Sequence, residues 1–296
     1  MITIKNLTYS YDDKKIILDD INVSIDDGKI MGLVGINGAG KSTLLRLLTG
    51  VYLPKSGEIY IDAKKPSDED LRKDIFFLSD DPFYTNDTTC KSLRKLLKTF
   101  YKDFNDEVYE EIMNLFKLPA NKKIRTFSKG MRRQAYIALA FAIGPKYLFL
   151  DEAFDGLDPL AKIRFKNYIY RIIKEKGSTV LISSHSLAEL SDFCDEYLMI
   201  DGNKIVHTGL ETGEESKFSK FQIAFSDIKT KEDFSNFELV EFKAVGHVVT
   251  VILKDNKEDA IAKINSMNPL VVDELKLNFE EAFFQTIDSE MKGGEA

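Results

Sequence analysis

The chain opens on alternating apolar and polar positions. ITIKNLTYSY (2–11) and INVSI (21–25) predict half-buried strands, and KIMGLVG (29–35) predicts a more deeply buried one. The last runs into a glycine-rich loop, Gly35 to Gly40, after which STLLRLLTGVY (42–52) carries apolar residues at helical spacing. Pro54, Ser56 and Gly57 mark a turn before the strand EIYID (58–62), and IFFL (75–78) reads as a short buried strand. From Thr88 to Ile143 the period becomes helical in KSLRKLLKTFYK, DEVYEEIMNLFKL and KGMRRQAYIALAFAI, with Asn105 and Ser128 as candidate caps of the second and third helices. YLFLDEAF (147–154) and STVLISSH (178–185) are nearly unbroken apolar runs, as strands covered on both faces require. Residues 160–175 and LAELSDFC (187–194) predict helices. YLMIDGNKIVHTG (197–209) predicts a hairpin turning at Asp201-Gly202-Asn203.

These elements make an α/β chain with a helical lobe, about residues 83–143, inserted in a core that spans 1–210. ETGEESKFSK (211–220) is polar and predicts a linker. Beyond it FQIAFSD, the pair ELVEFKAVGHVVTVILKD, the helix KEDAIAKINSM, the strand LVVDELKLN and the helix EEAFFQTID suggest a small separate α+β unit over 217–290. MKGGEA is read as a disordered tail.

A composition of 44% hydrophobic and 30% charged residues supports a packed globular core. The net charge of −7, from 48 acidic and 41 basic residues, argues against nucleic acid as the main partner. Cys90 and Cys194 stand in no metal-ligand spacing and are read as free thiols of a reducing, cytoplasmic compartment. No basic start followed by an apolar stretch suggests a signal peptide. The longest apolar run, Ala135 to Ile143, falls short of the ~20 residues that a membrane span needs, so work at a membrane would require another chain to cross it.

Chemistry concentrates in two places. Gly35-Ile36-Asn37-Gly38-Ala39-Gly40-Lys41-Ser42-Thr43 fits a phosphate-binding loop, a glycine, four residues, then Gly-Lys-Ser, between a strand and a helix. Its N–H groups and the helix N-terminus favour anions, Lys41 is placed for the β- and γ-phosphates, and Ser42 is placed for Mg²⁺. Asp151-Glu152 ends the apolar strand Tyr147–Leu150, where parallel sheets bind ligands. There Asp151 suits the Mg²⁺ shell, and Glu152 suits orienting or deprotonating a water.

With these, three further segments and an aromatic follow the order found in ABC ATPases, which residues 1–210 resemble. Phe127-Ser128-Lys129-Gly130-Met131 resembles the signature loop, and Ala153-Phe154-Asp155-Gly156-Leu157-Asp158-Pro159 resembles the D-loop. Ser183-Ser184-His185 resembles the strand end with the switch histidine, and Tyr11 stands at the place of an adenine-stacking aromatic. The resemblance is nearest to single-domain ATPases that partner separate permeases in export. It implies a phosphate-loop NTPase core with an antiparallel β subdomain and the inserted helical lobe, ATP and Mg²⁺ as cofactors, and catalysis by Glu152 and His185. It also implies a head-to-tail dimer, with an identical or related nucleotide-binding domain, in which the signature loop Ser128, Lys129, Gly130 and Met131 acts in trans. Ser128 and the Gly130 N–H bind the γ-phosphate held by the other subunit, Lys129 adds positive charge near its phosphates, and Asp158 is the site residue of the D-loop. The implied place of work is the inner face of the cell membrane, beside a multi-span permease. Phe76 to Thr89 would line the groove that takes a permease helix, with Phe83 and Tyr84 either touching that partner or packing inside the lobe.

Two positions depart from the family pattern. Asp80 stands where a glutamine usually reaches the metal and the attacking water, and so becomes a candidate catalytic and metal-shell residue. Lys129 stands where glycine is commonest. The competing readings are a soluble ABC-type ATPase associated with nucleic acid or ribosomes, and a slow regulatory nucleotide switch. A single phosphate loop and the lack of long coiled coils weigh against the first, and Glu152 weighs against the second.

Overall fold

In the computed structural model, residues 1–12, 15–191, 193–208, 218–254 and 256–275 are described. The chain divides into two compact units, 1–209 and 210–296.

The first unit holds two sheets. In the smaller, β1 (Ile2–Ser10), β2 (Ile16–Ile25) and β4 (Ser56–Ile61) pair antiparallel in the order β2-β1-β4. In the larger, the order is β5 (Ile75–Leu78), β6 (Tyr147–Leu150), β7 (Thr179–Ser184), β3 (Ile30–Val34), β8 (Glu196–Asp201) and β9 (Lys204–Thr208). The first five are parallel, and β9 returns antiparallel from the expected hairpin. Every residue of β3, β6 and β7 is buried, which accounts for their unbroken apolar sequences. Register brings their carboxyl ends level: Leu78 lies beside Leu150, Leu150 beside Ile182, and Val34 beside Ser184.

β2 begins five residues before the INVSI stretch. Asp20 has φ +50 and Asn6, opposite it, φ +47, where the β1–β2 register shifts. The bulge hides the period-two pattern across the earlier residues, and Asn6, Asp20 and Asn22 close it with side-chain hydrogen bonds.

Helix α1 (Lys41–Leu48) follows the glycine loop and buries Leu44, Leu45, Leu47 and Leu48 in a core shared with Ile2, Leu7, Leu18, Phe149 and Leu181. The one-turn α2 (Glu69–Arg72), capped by Asp68, is too short to leave a periodic signal. Between β5 and β6 come α3 (Cys90–Phe100), α4 (Asp106–Leu115) and α5 (Lys129–Ile143). Asn105 caps α4 and Ser128 caps α5 through side-chain oxygens. The apolar run 135–143 is the buried part of α5; among the described residues no helix is long and apolar enough to cross a membrane. Helix α6 (Pro159–Lys176) precedes β7, and α7 occupies only Leu187–Leu190 of the helix expected over 187–194.

In the second unit, β10 (Ser219–Ala224), β11 (Leu239–Val245), β12 (Val248–Leu253) and β13 (Val271–Leu275) form an antiparallel sheet ordered β11-β12-β10-β13. Helix α8 (Lys257–Ser266) sets Ala260 and Ile264 against Phe221, Ile223, Val249, Val251 and Leu253. Of the expected linker over 211–220, residues 211–217 lie outside the described residues, as do the helix over 280–288 and the tail, while Ser219 and Lys220 already belong to β10.

Candidate nucleotide-binding and catalytic site

The level carboxyl ends of β3, β6 and β7 set three loops side by side. After β3 the glycine loop turns into α1 at Gly40, whose φ of +111 is a conformation that side-chain-bearing residues rarely adopt. Ile36, Asn37 and Gly38 face solvent, while Lys41 and Thr43 are buried. The Lys41 ammonium curls back over its own loop, donating to the carbonyls of Gly35 at 2.5 Å and Ile36 at 3.3 Å. A buried cation held by main-chain oxygens at the exposed loop of Ile36, Asn37 and Gly38 is suited to meet an anion.

After β6 the Asp151 carboxylate is 1% exposed, and its Oδ1 accepts from Ser42 Oγ at 2.9 Å and Ser183 Oγ at 2.8 Å. Ser183, at the end of β7, also accepts from the Glu152 N–H. Glu152 has φ +48, a strained conformation for a residue with a side chain, which turns its carboxylate back toward the loop. Its Oε1 lies 3.6 Å from the Lys41 ammonium, and its Oε2 lies 2.9 Å from His185 Nδ1. Lys41, Ser42, Asp151, Ser183, Glu152 and His185 therefore form one connected set.

Other expected residues stand elsewhere. Tyr11 is half exposed, and its hydroxyl shares a 2.7 Å hydrogen bond with Thr43 Oγ1 in α1. The Ser128 hydroxyl serves as the cap of α5, and Asp158 caps α6 by accepting from Ala161 N–H. Gly130 lies so near Gly156 that a Cβ there would come 2.4 Å from the Gly156 carbonyl oxygen, so glycine lets the two loops touch. Phe83 is 87% exposed, while Tyr84 packs under the Arg132 guanidinium and accepts its hydrogen bond.

Asp80 is engaged by two cations of α5. Its carboxylate accepts from Arg133 at 2.8 Å and lies 3.6 Å from the Lys129 ammonium, which also bonds to Asp155. Arg133 is 3% exposed and donates to the carbonyls of Ser79 and Asp80, tying α5 to the chain after β5. Burial lowers the Arg133 pKa, and Asp80 opposes that shift. The hydrogen bond to Asp155 holds the Lys129 pKa above its usual value. Arg133 and the linking role of Ser183 are the residues that sequence reasoning missed. The signal for Arg133 was an arginine three and four residues before Tyr136 and Ile137 of a buried helix; a serine near the end of an apolar strand gave almost none.

Comparison with known proteins fits this arrangement. Residues 18–155 match the ABC transporter family. The chain is 34% identical over 208 residues to the lantibiotic transport ATP-binding protein SrtF of Streptococcus pyogenes, covering 70% of this chain and 89% of that protein. It is 28% identical over 289 residues to the ABC transporter ATP-binding protein YtrB of Bacillus subtilis, covering 96% and 97%. A solved ATP-binding subunit of an ABC transporter superposes with a TM-score of 0.65 at 28% identity, covering 71% of this chain and 89% of that one. The chain belongs to the family of ABC transporter ATP-binding proteins, the ATP-hydrolysing subunits of transporters.

Proposed function

We propose that this chain binds and hydrolyses ATP to drive export of a substrate through a separate multi-span permease, working at the inner face of the cell membrane. The observation that carries this reading is the connected set from Lys41 to His185 at the mouth of the parallel sheet. The direction rests on the resemblance to exporter-type subunits; the name of SrtF, a lantibiotic transport protein, is in keeping with it.

In this reading Lys41 exchanges the Gly35 and Ile36 carbonyls for the β- and γ-phosphates, and the N–H groups of the loop up to Gly40 hold the remaining oxygens. Ser42 Oγ and Asp151 Oδ1, 2.9 Å apart, are hard oxygen donors that fit Mg²⁺, which would supply charge neutralisation of the phosphates. Asp80, engaged by Arg133 and Lys129, is better placed to fix the loop after β5 than to bind the metal directly. Glu152 orients a water toward the γ-phosphorus and takes its proton as the bond to the bridging β–γ oxygen breaks. His185, bonded to the same carboxylate, keeps it turned to that water. A second nucleotide-binding domain, another copy or a related chain, supplies its Ser128–Met131 segment to the γ-phosphate head to tail. Loss of that phosphate then removes the contact that joins the two domains.

The test is recovery of the tagged chain from native membranes in mild detergent, with partners identified by mass spectrometry. A stoichiometric multi-span protein is expected. Recovery only with ribosomes or nucleic acid, or with no partner, would overturn the transport reading while leaving the ATPase in place.

A further inference from the structure

Tyr11 is held in a way that its place in the sequence does not explain. A half-exposed ring at a strand end would ordinarily exchange rotamers freely. Here it stands edge-to-face with two other tyrosines: Tyr9 at 5.3 Å between centroids with planes at 86°, and Tyr52 at 5.7 Å with planes at 89°. Tyr9 and Tyr52 in turn stack face to face, 5.5 Å apart and 11° from parallel. Tyr9 is 8% exposed and belongs to the core, so it anchors the group. Tyr52 follows α1, with its N–H donating to the Arg46 carbonyl and the Arg46 guanidinium 5.9 Å from its ring.

Helix α1 thus grips Tyr11 at two points. Thr43, in its first turn, holds the hydroxyl, and Tyr52, just past its last turn, holds the ring. The same first turn carries Lys41 and Ser42, so the ring and the phosphate loop are fixed to one rigid element. Edge-to-face pairs and a hydroxyl hydrogen bond each restrict the ring a little, and together they leave it one orientation.

We infer that Tyr52, stacked on Tyr9, is a positioning residue that fixes Tyr11 in advance as a platform for the nucleobase. This rests on the reading of Tyr11 as the group that stacks on the base. A platform already ordered avoids the loss of side-chain freedom on binding, which corresponds to roughly two- to tenfold in affinity for one side chain. The gain applies only to ligands that carry a base. A chain of phosphates alone uses Lys41, Ser42 and the loop N–H groups and leaves Tyr11 untouched.

The experiment is calorimetric titration of the full chain with ATP and with inorganic tripolyphosphate, both in magnesium buffer. Tyr52→Leu is expected to weaken ATP binding roughly two- to tenfold while the tripolyphosphate affinity holds, and Tyr52→Phe, which keeps the ring edge, is expected to restore ATP binding. Tyr11→Ala removes the platform itself and is expected to weaken ATP more than Tyr52→Leu does, again sparing tripolyphosphate. If Tyr11→Ala weakens ATP but Tyr52→Leu does not, the positioning role is overturned and the base platform stands. If Tyr11→Ala leaves ATP unchanged, the platform reading falls and the inference with it. A parallel loss of both ligands in Tyr52→Leu would mean damage to α1 and would also overturn it. Should Tyr52→Leu not fold, Tyr11→Phe cuts the bond to Thr43. It is expected to weaken ATP selectively, and unchanged ATP affinity there would overturn the inference.

Discussion

Replacing Glu152 by Gln tests the proposed chemistry with little change of shape. The amide can still bond to His185 Nδ1, 2.9 Å away, and it keeps the volume of a side chain only 17% exposed. It cannot take a proton from water. Loss of a positioned general base lowers turnover by about 10²–10⁴-fold, or about 3–5 kcal/mol of barrier. Stability changes far less. Breaking a buried, hydrogen-bonded ion pair by removing one partner costs about 3–5 kcal/mol. The Lys41–Glu152 pair, however, stands at 3.6 Å, beyond hydrogen-bond length, and Lys41 keeps the carbonyls of Gly35 and Ile36. About 1 kcal/mol is then the expected loss, too little to unfold the chain and mimic a catalytic defect. ATP binding should persist or tighten, because a negative charge has left the phosphate site. Phosphate release at saturating ATP, beside equilibrium binding and a melting curve, gives all three quantities. Turnover within about threefold of the parent protein would remove Glu152 from the role of base, and lost ATP binding would mean that the loop geometry depends on its charge.

Lys41→Ala should abolish tight ATP binding with the fold intact, as read by equilibrium dialysis and circular dichroism; near-normal affinity would contradict the phosphate-loop assignment. A chain ending at Thr208 should stay folded and hydrolyse ATP, because the core of α1 and the large sheet shares no residue with the cluster under α8; an insoluble product would tie the second unit to the folding of the first. Acid should weaken the end of the sheet opposite the site. Burial alone would raise the Asp62 pKa, but hydrogen bonds from Lys146, Tyr147 and the amino terminus outweigh it and hold the carboxyl at about 2 against an ordinary 3.8. A depressed carboxyl contributes stability above its unfolded value and loses it as pH falls through the folded one. With Asp62 a third exposed, the full shift is discounted to about 1 kcal/mol. The difference in unfolding free energy between the parent and Asp62→Asn should therefore narrow from pH 4 toward pH 2, and a gap independent of pH would refute the linkage.

What the sequence made legible was whatever repeats or alternates over several residues. The fully buried strands β3, β6 and β7 announce themselves as apolar runs, and the glycine loop as a spacing. The caps at Asn105 and Ser128 follow from one residue type before a periodic stretch. The early part of β2 was hidden because Asp20, in a left-handed conformation, breaks the alternation. Helix α2 was missed because four residues carry no period. The site divides along the same line. Lys41, Ser42, Asp151, Glu152 and His185 were legible because they open a helix after a glycine loop or directly follow an apolar strand. Ser183, Arg133 and Tyr52 were not, because their contacts join segments far apart in the chain.

The two departures from the family pattern, Asp80 and Lys129, looked independent in the sequence and are neighbours in space. Arg133 is a charge taken out of water, which needs both an anion and hydrogen-bond acceptors. The Ser79 and Asp80 carbonyls supply acceptors, and the Asp80 carboxylate supplies the charge. Lys129, one turn earlier on α5, brings a second cation within 3.6 Å of that same carboxylate and reaches Asp155 on its other side. With a neutral glutamine at position 80, Arg133 and Lys129 would stand near one another with Asp155 as the nearby anion common to both. With Asp80 but glycine at position 129, the carboxylate would lose one of its two cations. Each substitution therefore makes the other electrostatically easier to accommodate. Together they join the loop after β5, the start of α5 and the loop after β6 into one charged network. That is a reason to read Asp80 as part of the fastening between these loops, with Ser42 and Asp151 left as the oxygen pair suited to the metal.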